Sequence, residues 1–310
     1  MKKQFLKCLG VAALALSAVL PASTMAAGYT QTKYPIVLVH GFFGFDNIGT
    51  AEYFYGVPDT LRADGANVYV SQVSASNSTE VRGEQLLTYI KQVMAATGAK
   101  KVNIIGHSHG GPTARYVAGV APNLVASVTS VGGPNKGGAL PDVLLGVAPN
   151  GTYTQDALTS IVNGFSSLVA LLSNDSNPQN SSAALNSLTT TGMAAFNKKF
   201  PEGVPTTACG EGAYQVNGVY YFSWSGAQPL TNPFDPSDAQ MAMISLADGF
   251  QKTDGLVTSC SSHLGRVIRD DYRMNHLDEV NQLIGLVNIF ETNPKTVYRQ
   301  HANRLQLQGL

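Results

Sequence analysis

Apolar residues run without a break through Ile36–Val39 and fill all of Val102–Ile105 but Asn103, and Val125–Val131 is built almost wholly from apolar, β-branched and small residues. Short solid runs of this kind predict strands covered on both faces, as in a parallel sheet. Asn67 to Val73 alternates and predicts another strand. Between these segments the period changes. Thr79 to Thr97 carries apolar residues at helical spacing, with Glu80, Arg82 and Glu84 early and Ser78 or Thr79 placed to cap it. Strands alternating with helices predict βαβ units and a doubly wound α/β fold. Past Val131 the alternation loosens into a loop at Gly132 to Gly138. Over 157–172, Leu158, Ile161, Val162, Phe165, Leu168, Val169 and Leu172 then fall on one helix face. Thr159, Ser160, Asn163, Ser166 and Ser167, polar but uncharged, occupy the other. A Ser/Asn-rich connection follows from Ser173 to Ser182. A strand at Val219 to Trp224, a turn at Asp235 to Asp238 and a last helical stretch after Glu279 complete the pattern, without internal repeats.

The N-terminus stands outside this pattern. Lys2, Lys3 and Lys7 precede an apolar stretch from Cys8 to Leu20, followed by Pro21 and small residues through Ala27. This predicts a secretory signal peptide over residues 1–26, cut after Ala26 or Ala27, since the apolar run is short for a membrane span. Residues 27–310 are then expected to form one exported domain. Cys8 leaves with the peptide, so Cys209 and Cys260 remain as an even pair in an oxidising compartment, where a disulfide is expected. Basic and acidic residues balance at 20 each. With no basic stripe, nucleic acid and anionic surfaces gain no electrostatic support as partners.

The chemistry gathers at 102–118. The apolar strand stops at Gly106, Ser108 follows, and Gly110, Gly111 and Pro112 open a helix-compatible stretch. Gly-x-Ser-x-Gly is frequent by itself; between a strand and a helix it predicts a nucleophile elbow with Ser108 at the tip. A serine hydroxyl needs a general base, and the base a carboxylate to fix its tautomer. In such folds the chain order is serine, acid, histidine. Asp254, after a predicted strand and before Gly255, fits the acid. His263 and His276 both fit the base, with an edge to His276 because another strand fits between it and Asp254. His301, in the tail, reads as a solvated surface residue. The oxyanion donors should be the N–H of His109, directly after the nucleophile, and that of Phe42 in the loop after the first strand. His40 beside it reads as a structural hydrogen-bonding residue.

Six segments together resemble the secreted triacylglycerol lipases of Pseudomonas and Burkholderia, most of all the Pseudomonas aeruginosa type. They are Tyr29-Thr-Gln-Thr-Lys-Tyr-Pro-Ile-Val-Leu, Gly106-His-Ser-His-Gly-Gly-Pro, Ala208-Cys-Gly-Glu-Gly-Ala-Tyr, Asp254-Gly-Leu-Val, Cys260-Ser-Ser-His-Leu-Gly and Met274-Asn-His-Leu-Asp-Glu-Val-Asn-Gln282. The likeness spans nearly the whole mature chain. It implies an α/β-hydrolase fold, an acylglycerol substrate at an oil–water interface and a triad of Ser108, Asp254 and His276. It also implies an oxyanion hole from Phe42 and His109, a Cys209–Cys260 disulfide and a helical lid at about 154–173. It further implies one structural Ca²⁺, held by the carboxylates of Asp235 and Asp278 and the backbone carbonyls of Gln282 and Leu286, a ligand set suited to that ion. A dedicated foldase chaperone during export and a monomeric enzyme complete the expectation. Phe42 replaces the family's usual Met or Leu, and Thr253 its usual Asn. The rival classes are an esterase of soluble esters, which needs no lid, and a lipid-binding protein without turnover.

Overall fold

The computed structural model describes residues 28–42, 47–48, 51–172, 179–249 and 251–310. The expected signal peptide and most of the Ser173–Ser182 connection lie outside them. Nine strands are described: β1 (Ile36–Val39), β2 (Asn47–Ile48), β3 (Ala51–Glu52), β4 (Val68–Val70), β5 (Val102–His107), β6 (Val125–Val131), β7 (Gln215–Val216), β8 (Val219–Gly226) and β9 (Arg266–Tyr272). β2 and β3 make a small hairpin. The other seven form one sheet in the order β4-β1-β5-β6-β8, where β7 and β9 share the far side of β8. Every pairing in it is parallel except β7 with β8. That hairpin turns through Asn217 and Gly218, both at positive φ (52° and 78°), the conformation a two-residue turn between twisted strands demands.

The side chains of β1 divide by the two-residue period of a strand. Ile36 and Leu38 pack with Ile105, Trp224 and Tyr298 on one face of the sheet. Val37 and Val39 pack with Leu86, Ile90 and Val117 on the other. The first face is covered by α1 (Val57–Ala63) and, near the C-terminus, Pro294–Leu307; the second by α2 (Thr79–Thr97) and α3 (Gly110–Val120). Helix α2 starts where expected: Ser78 Oγ accepts from Val81 N at 3.3 Å, and Gly98 at φ 70° ends it. Leu86 and Ile90 in its middle are wholly buried, each contributing about 1.5–3 kcal/mol by leaving water.

The segment after β6 forms α4 (Ala139–Leu144), α5 (Gln155–Leu172), α6 (Ser181–Leu188) and α7 (Thr190–Lys199). Helix α5 packs against α8 (Asp238–Ile244), with Ile161 and Leu168 buried among Leu140, Met241, Ile244 and Leu277. Its apolar face is narrower than expected: Val162 is exposed at 43%, because the supporting helix reaches only the Ile161–Leu168 stripe. Three further expectations need correction. No strand leads directly into Asp254, which lies between a 3₁₀ turn at Ser245–Asp248 and the short α9 (Ser259–Ser262). The final helix, α10 (Pro294–Leu307), begins well after Glu279, since Asn281, Leu283 and Ile284 all take positive φ and break any helix there. His301 is not a surface residue. It is fully buried on α10 between Phe222 and Trp224, with Nε2 2.7 Å from Thr129 Oγ1.

Candidate active site

The carboxyl ends of parallel strands are where α/β sheets place their ligand sites. Ser108 follows β5 with φ 56°, a left-handed conformation that costs a non-glycine residue roughly 1 kcal/mol or more. The sharp turn is locked by Ser108 N donating to Val131 O (2.8 Å) and Gly111 N donating to Ser108 O (2.9 Å). A Cβ at Gly106 would overlap the carbonyl oxygen of Gly110, and one at Gly110 that of Val39. The two glycines of the motif are thus required by backbone-to-backbone contact. The loop after β1 also touches the serine, since a Cβ on Gly41 would lie 2.6 Å from Ser108 Cβ and 3.1 Å from its Oγ.

His276 and Asp254 meet with Nδ1 2.7 Å from Oδ2, both almost fully buried. Their backbones are joined as well, His276 N donating to Asp254 O at 2.9 Å. The second carboxylate oxygen of Asp254 accepts from Leu256 N and Val257 N, each at 2.8 Å. These bonds aim the carboxylate at the imidazole. Of the two candidate bases, only His276 reaches Asp254. His263, just before β9 in the chain, is held instead between Gly210 O and the Asp270 carboxylate. Ser108 Oγ makes no hydrogen bond to His276 here, a looseness common before substrate binds.

Five supporting residues escaped the sequence reading of the site. Arg82, fully buried, donates from Nη2 to His40 O (2.6 Å), from Nη1 to Ser74 O and from Nε to Thr113 Oγ1 (3.2 Å). Thr113 Oγ1 in turn donates to His109 O (2.7 Å). One guanidinium therefore ties the Phe42 loop to the start of α3, the two places from which the expected oxyanion donors come. Gly41 N donates to Tyr53 OH, which lies 2.6 Å from His107 Nδ1. The His107 ring sits 4.5 Å from that of His276, and its Nε2 is 3.2 Å from Glu279 Oε2, in poor alignment. Burial first, and then His276, push the His107 pKa well below the ordinary histidine range. No second imidazolium competes with His276. Burial and the neighbouring Asp254 push Glu279 well above the usual carboxylate range, while its Oε1 accepts from Gly226 N at 2.5 Å. His107, His276 and Glu279 bring possible ligand atoms within 4.8 Å of one another. Tyr53, Asp254 and Gly226 engage His107 Nδ1, His276 Nδ1 and Glu279 Oε1, while His107 Nε2 and Glu279 Oε2 face each other without a hydrogen bond. The sequence signal for Arg82 was its position on the apolar face of α2, between Thr79 and Leu86.

Sequence and structure comparisons carry the same fold. Residues 34–280 match the family model described as the alpha/beta hydrolase fold. The chain is 60% identical to a triacylglycerol lipase of Vibrio cholerae over 91% of both chains. It is 44% identical to a triacylglycerol lipase of Pseudomonas fragi over 90% of this chain and 98% of that one. This chain belongs to the bacterial triacylglycerol lipase family. Among solved structures, a mature Bacillus licheniformis lipase aligns with TM-score 0.60 at 16% identity, over 91% of the lipase-family chain and 94% of its own. That likeness speaks for the fold alone.

In this lipase-family chain, Phe42 stacks on Phe165 of α5, with ring centroids 6.5 Å apart and planes inclined by 24°. Cys209 and Cys260 form the expected disulfide. Asp235 and Asp278 lie buried beside a third acid, Asp238, around Asn275. Asn275 Nδ2 is 2.8 Å from Asp238 Oδ1 and 3.4 Å from Asp235 Oδ2, and its N donates to Asp278 Oδ2 at 3.3 Å. Burial and the charges of Asp235 and Asp238 push Asp278 up to about 7, and burial also raises Asp235. Gln282 Oε1 is buried without a hydrogen-bond partner. Buried acids that share Asn275 and have no basic side chain bonded among them offer the oxygen donors a hard divalent cation takes. Among the described residues, no helix is long and apolar enough to cross a membrane.

Proposed function

We propose that the protein is a secreted triacylglycerol lipase that cleaves long-chain acylglycerols at an oil–water interface through an acyl-serine. The observation that carries this reading is the 60% identity, along 91% of both chains, with a triacylglycerol lipase. Ser108 Oγ attacks the ester carbonyl while His276 Nε2 takes its proton. Asp254 keeps the other proton on Nδ1 and stabilises the imidazolium. The N–H groups of Phe42 and His109 receive the oxyanion, a role supported by the Arg82 and Gly41 contacts that fix both backbones. His276 returns the proton to the departing glycerol oxygen. A water deprotonated by the same ring then releases the fatty acid.

Residues 27–310 are read as one domain in which α5 is the lid. Its partly covered Leu158 and Phe165, and the polar outer face of Thr159, Asn163, Ser166 and Ser167, support that role. One Ca²⁺ would be held by Asp235 and Asp278 with the Gln282 and Leu286 carbonyls, and would supply positive charge that fixes the loop bearing His276. Export through the periplasm with a foldase, and a monomeric enzyme, follow from the family resemblance and belong to the same proposal.

The test compares emulsified long-chain triacylglycerol with a soluble short-chain ester, for wild type and Ser108→Ala. A steep gain on the emulsion, abolished by the substitution, is expected. Equal turnover of the soluble ester without any gain at the interface would make the protein an esterase. A folded wild type inert on both substrates would make it a binder.

A further inference from the structure

Four of the five most exposed large apolar side chains among the described residues lie on two loops that touch: Phe234 (82%), Ile284 (74%), Ile289 (80%) and Phe290 (82%). Leu230 joins them at 55%. They belong to two segments, 227–234 and 282–290, neither of which contains a charged residue. Asn232 Nδ2 donates to Val287 O at 3.1 Å and ties the two loops side by side. The charges next in sequence are both engaged: Asp235 is buried and its Oδ1 accepts from Ser237 N and Oγ, each at 2.7 Å, and Glu291 is held by Arg269 at 2.9 Å and by Arg273 N at 3.0 Å.

Water gives no return for this arrangement. Leu283 and Ile284 sit at φ 51° and 56°, a region that is a marked outlier for a β-branched residue, and the strain presents Ile284 to solvent. Exposed apolar clusters on a folded surface mark contact sites. The position of this one indicates its occupant. Leu283, beside Ile284, packs into the cluster that holds Leu158 and Phe165 of α5 and Leu277, the residue after His276. The exposed patch therefore continues the roof of the catalytic site outward.

We propose that these two loops are a fixed docking patch that seats the enzyme on a neutral acylglycerol surface, independently of the movement of α5. The proposal rests on the lipase reading above. An uncharged lipid is the matching partner because the patch offers no cation to an anionic headgroup and the chain as a whole carries no net charge. A mobile lid must leave the protein before it can meet oil. This patch meets it first and holds the mouth of the site at the surface.

The experiment measures adsorption to triolein emulsion and to phosphatidylglycerol vesicles, with all proteins carrying Ser108→Ala so that the lipid survives. Ile289→Ser/Phe290→Ser is the main variant, and Phe234→Ser, on the other loop, is the second. The expected result is adsorption to triolein weakened at least about tenfold by the double substitution and less by the single one, as loss of buried apolar area requires. With Ser108 restored, turnover of a soluble short-chain ester should stay within about twofold of wild type and show that the site is intact. Unchanged adsorption to triolein, in an enzyme that does hydrolyse triolein, would overturn the patch and leave the lipase reading standing. So would a loss confined to the anionic vesicles, or a defect confined to chaperone-assisted folding. Failure of the wild type to hydrolyse the emulsion while it hydrolyses the soluble ester would instead sink the lipase reading on which the patch rests.

Discussion

Replacing Cys209 and Cys260 by serine should separate the stability of this fold from its catalytic competence. The bridge joins positions 51 residues apart. In the chain-entropy treatment a loop of that length withholds about 14 cal/mol/K from the unfolded chain, or roughly 4 kcal/mol at 25 °C. Unfolding roughly 280 residues at about 2.1 cal/mol/K each gives an entropy near 0.6 kcal/mol/K, so the melting temperature should fall by about 7 °C. The folded state should change little. Lys136 Nζ already holds the carbonyls of Thr207 and Ala208, and Gly212 N donates to Gly265 O at 2.9 Å. The turn at Asp254 closes through its own bonds from Leu256 and Val257. Activity on a soluble ester at 25 °C should therefore drop by less than about threefold. Calorimetry of the double variant, beside wild type with and without reductant, measures the first quantity, and initial rates measure the second. An unchanged melting temperature would refute the entropic account. Loss of activity at temperatures where the variant is still folded would refute the independence of the acid turn.

Arg82→Lys should lower kcat on a soluble ester by roughly tenfold to a hundredfold with little change in KM, because a single ammonium cannot reach His40 O, Ser74 O and Thr113 together; a change in KM alone would count against the oxyanion-loop role. Phe165→Ala removes the ring stacked on Phe42 and should raise turnover of soluble esters in the absence of oil, so that the ratio of emulsion to soluble activity falls; an unchanged ratio would show that the stack does not restrain α5. In protein stripped by a chelator, Asp278 titrates near 7 in the fold against about 3.9 unfolded, so stability should be greatest at low pH and decline as pH rises from about 4 to 7. Millimolar calcium should restore the melting temperature at pH 8 and do little at pH 5, and a flat profile with and without calcium would exclude Asp278 as a ligand.

The segments with the strongest periodicity were legible to the residue. Thr79–Thr97 and Val125–Val131 have the bounds that their patterns predict, since a capping serine, a terminal glycine and solid β-branched runs act locally. The elbow was legible as a motif between a strand and a helix; Gly106 answers to the nearby backbone of Gly110, whereas the contact that requires Gly110 comes from Val39 on the neighbouring strand. What stayed hidden depends on distant pairings. His301 looked solvated because nothing near it in sequence shows that Thr129, Phe222 and Trp224 close over it. Tyr53, His107 and Glu279 come from three separate segments and meet only when the sheet is assembled. The residues alone favoured His276 over His263 only by an edge. Both follow Asp254, and what distinguishes them is the parallel strand β9, which carries the chain back to the acid before His276.

The elbow also sets how this protein can diversify. At Gly106 and Gly110 any side chain would collide with a main-chain carbonyl, and no repacking of neighbouring side chains relieves that. Substitutions there should be eliminated in any library selected for turnover. Phe42 is different: its proposed task belongs to its N–H, and its ring faces Phe165. Variation in acyl-chain preference should therefore accumulate at Phe42 and along α5, leaving the reaction itself untouched. A saturation library scored on esters of several chain lengths should return a map with two textures, an intolerant ring of backbone around Ser108 and a permissive wall opposite it.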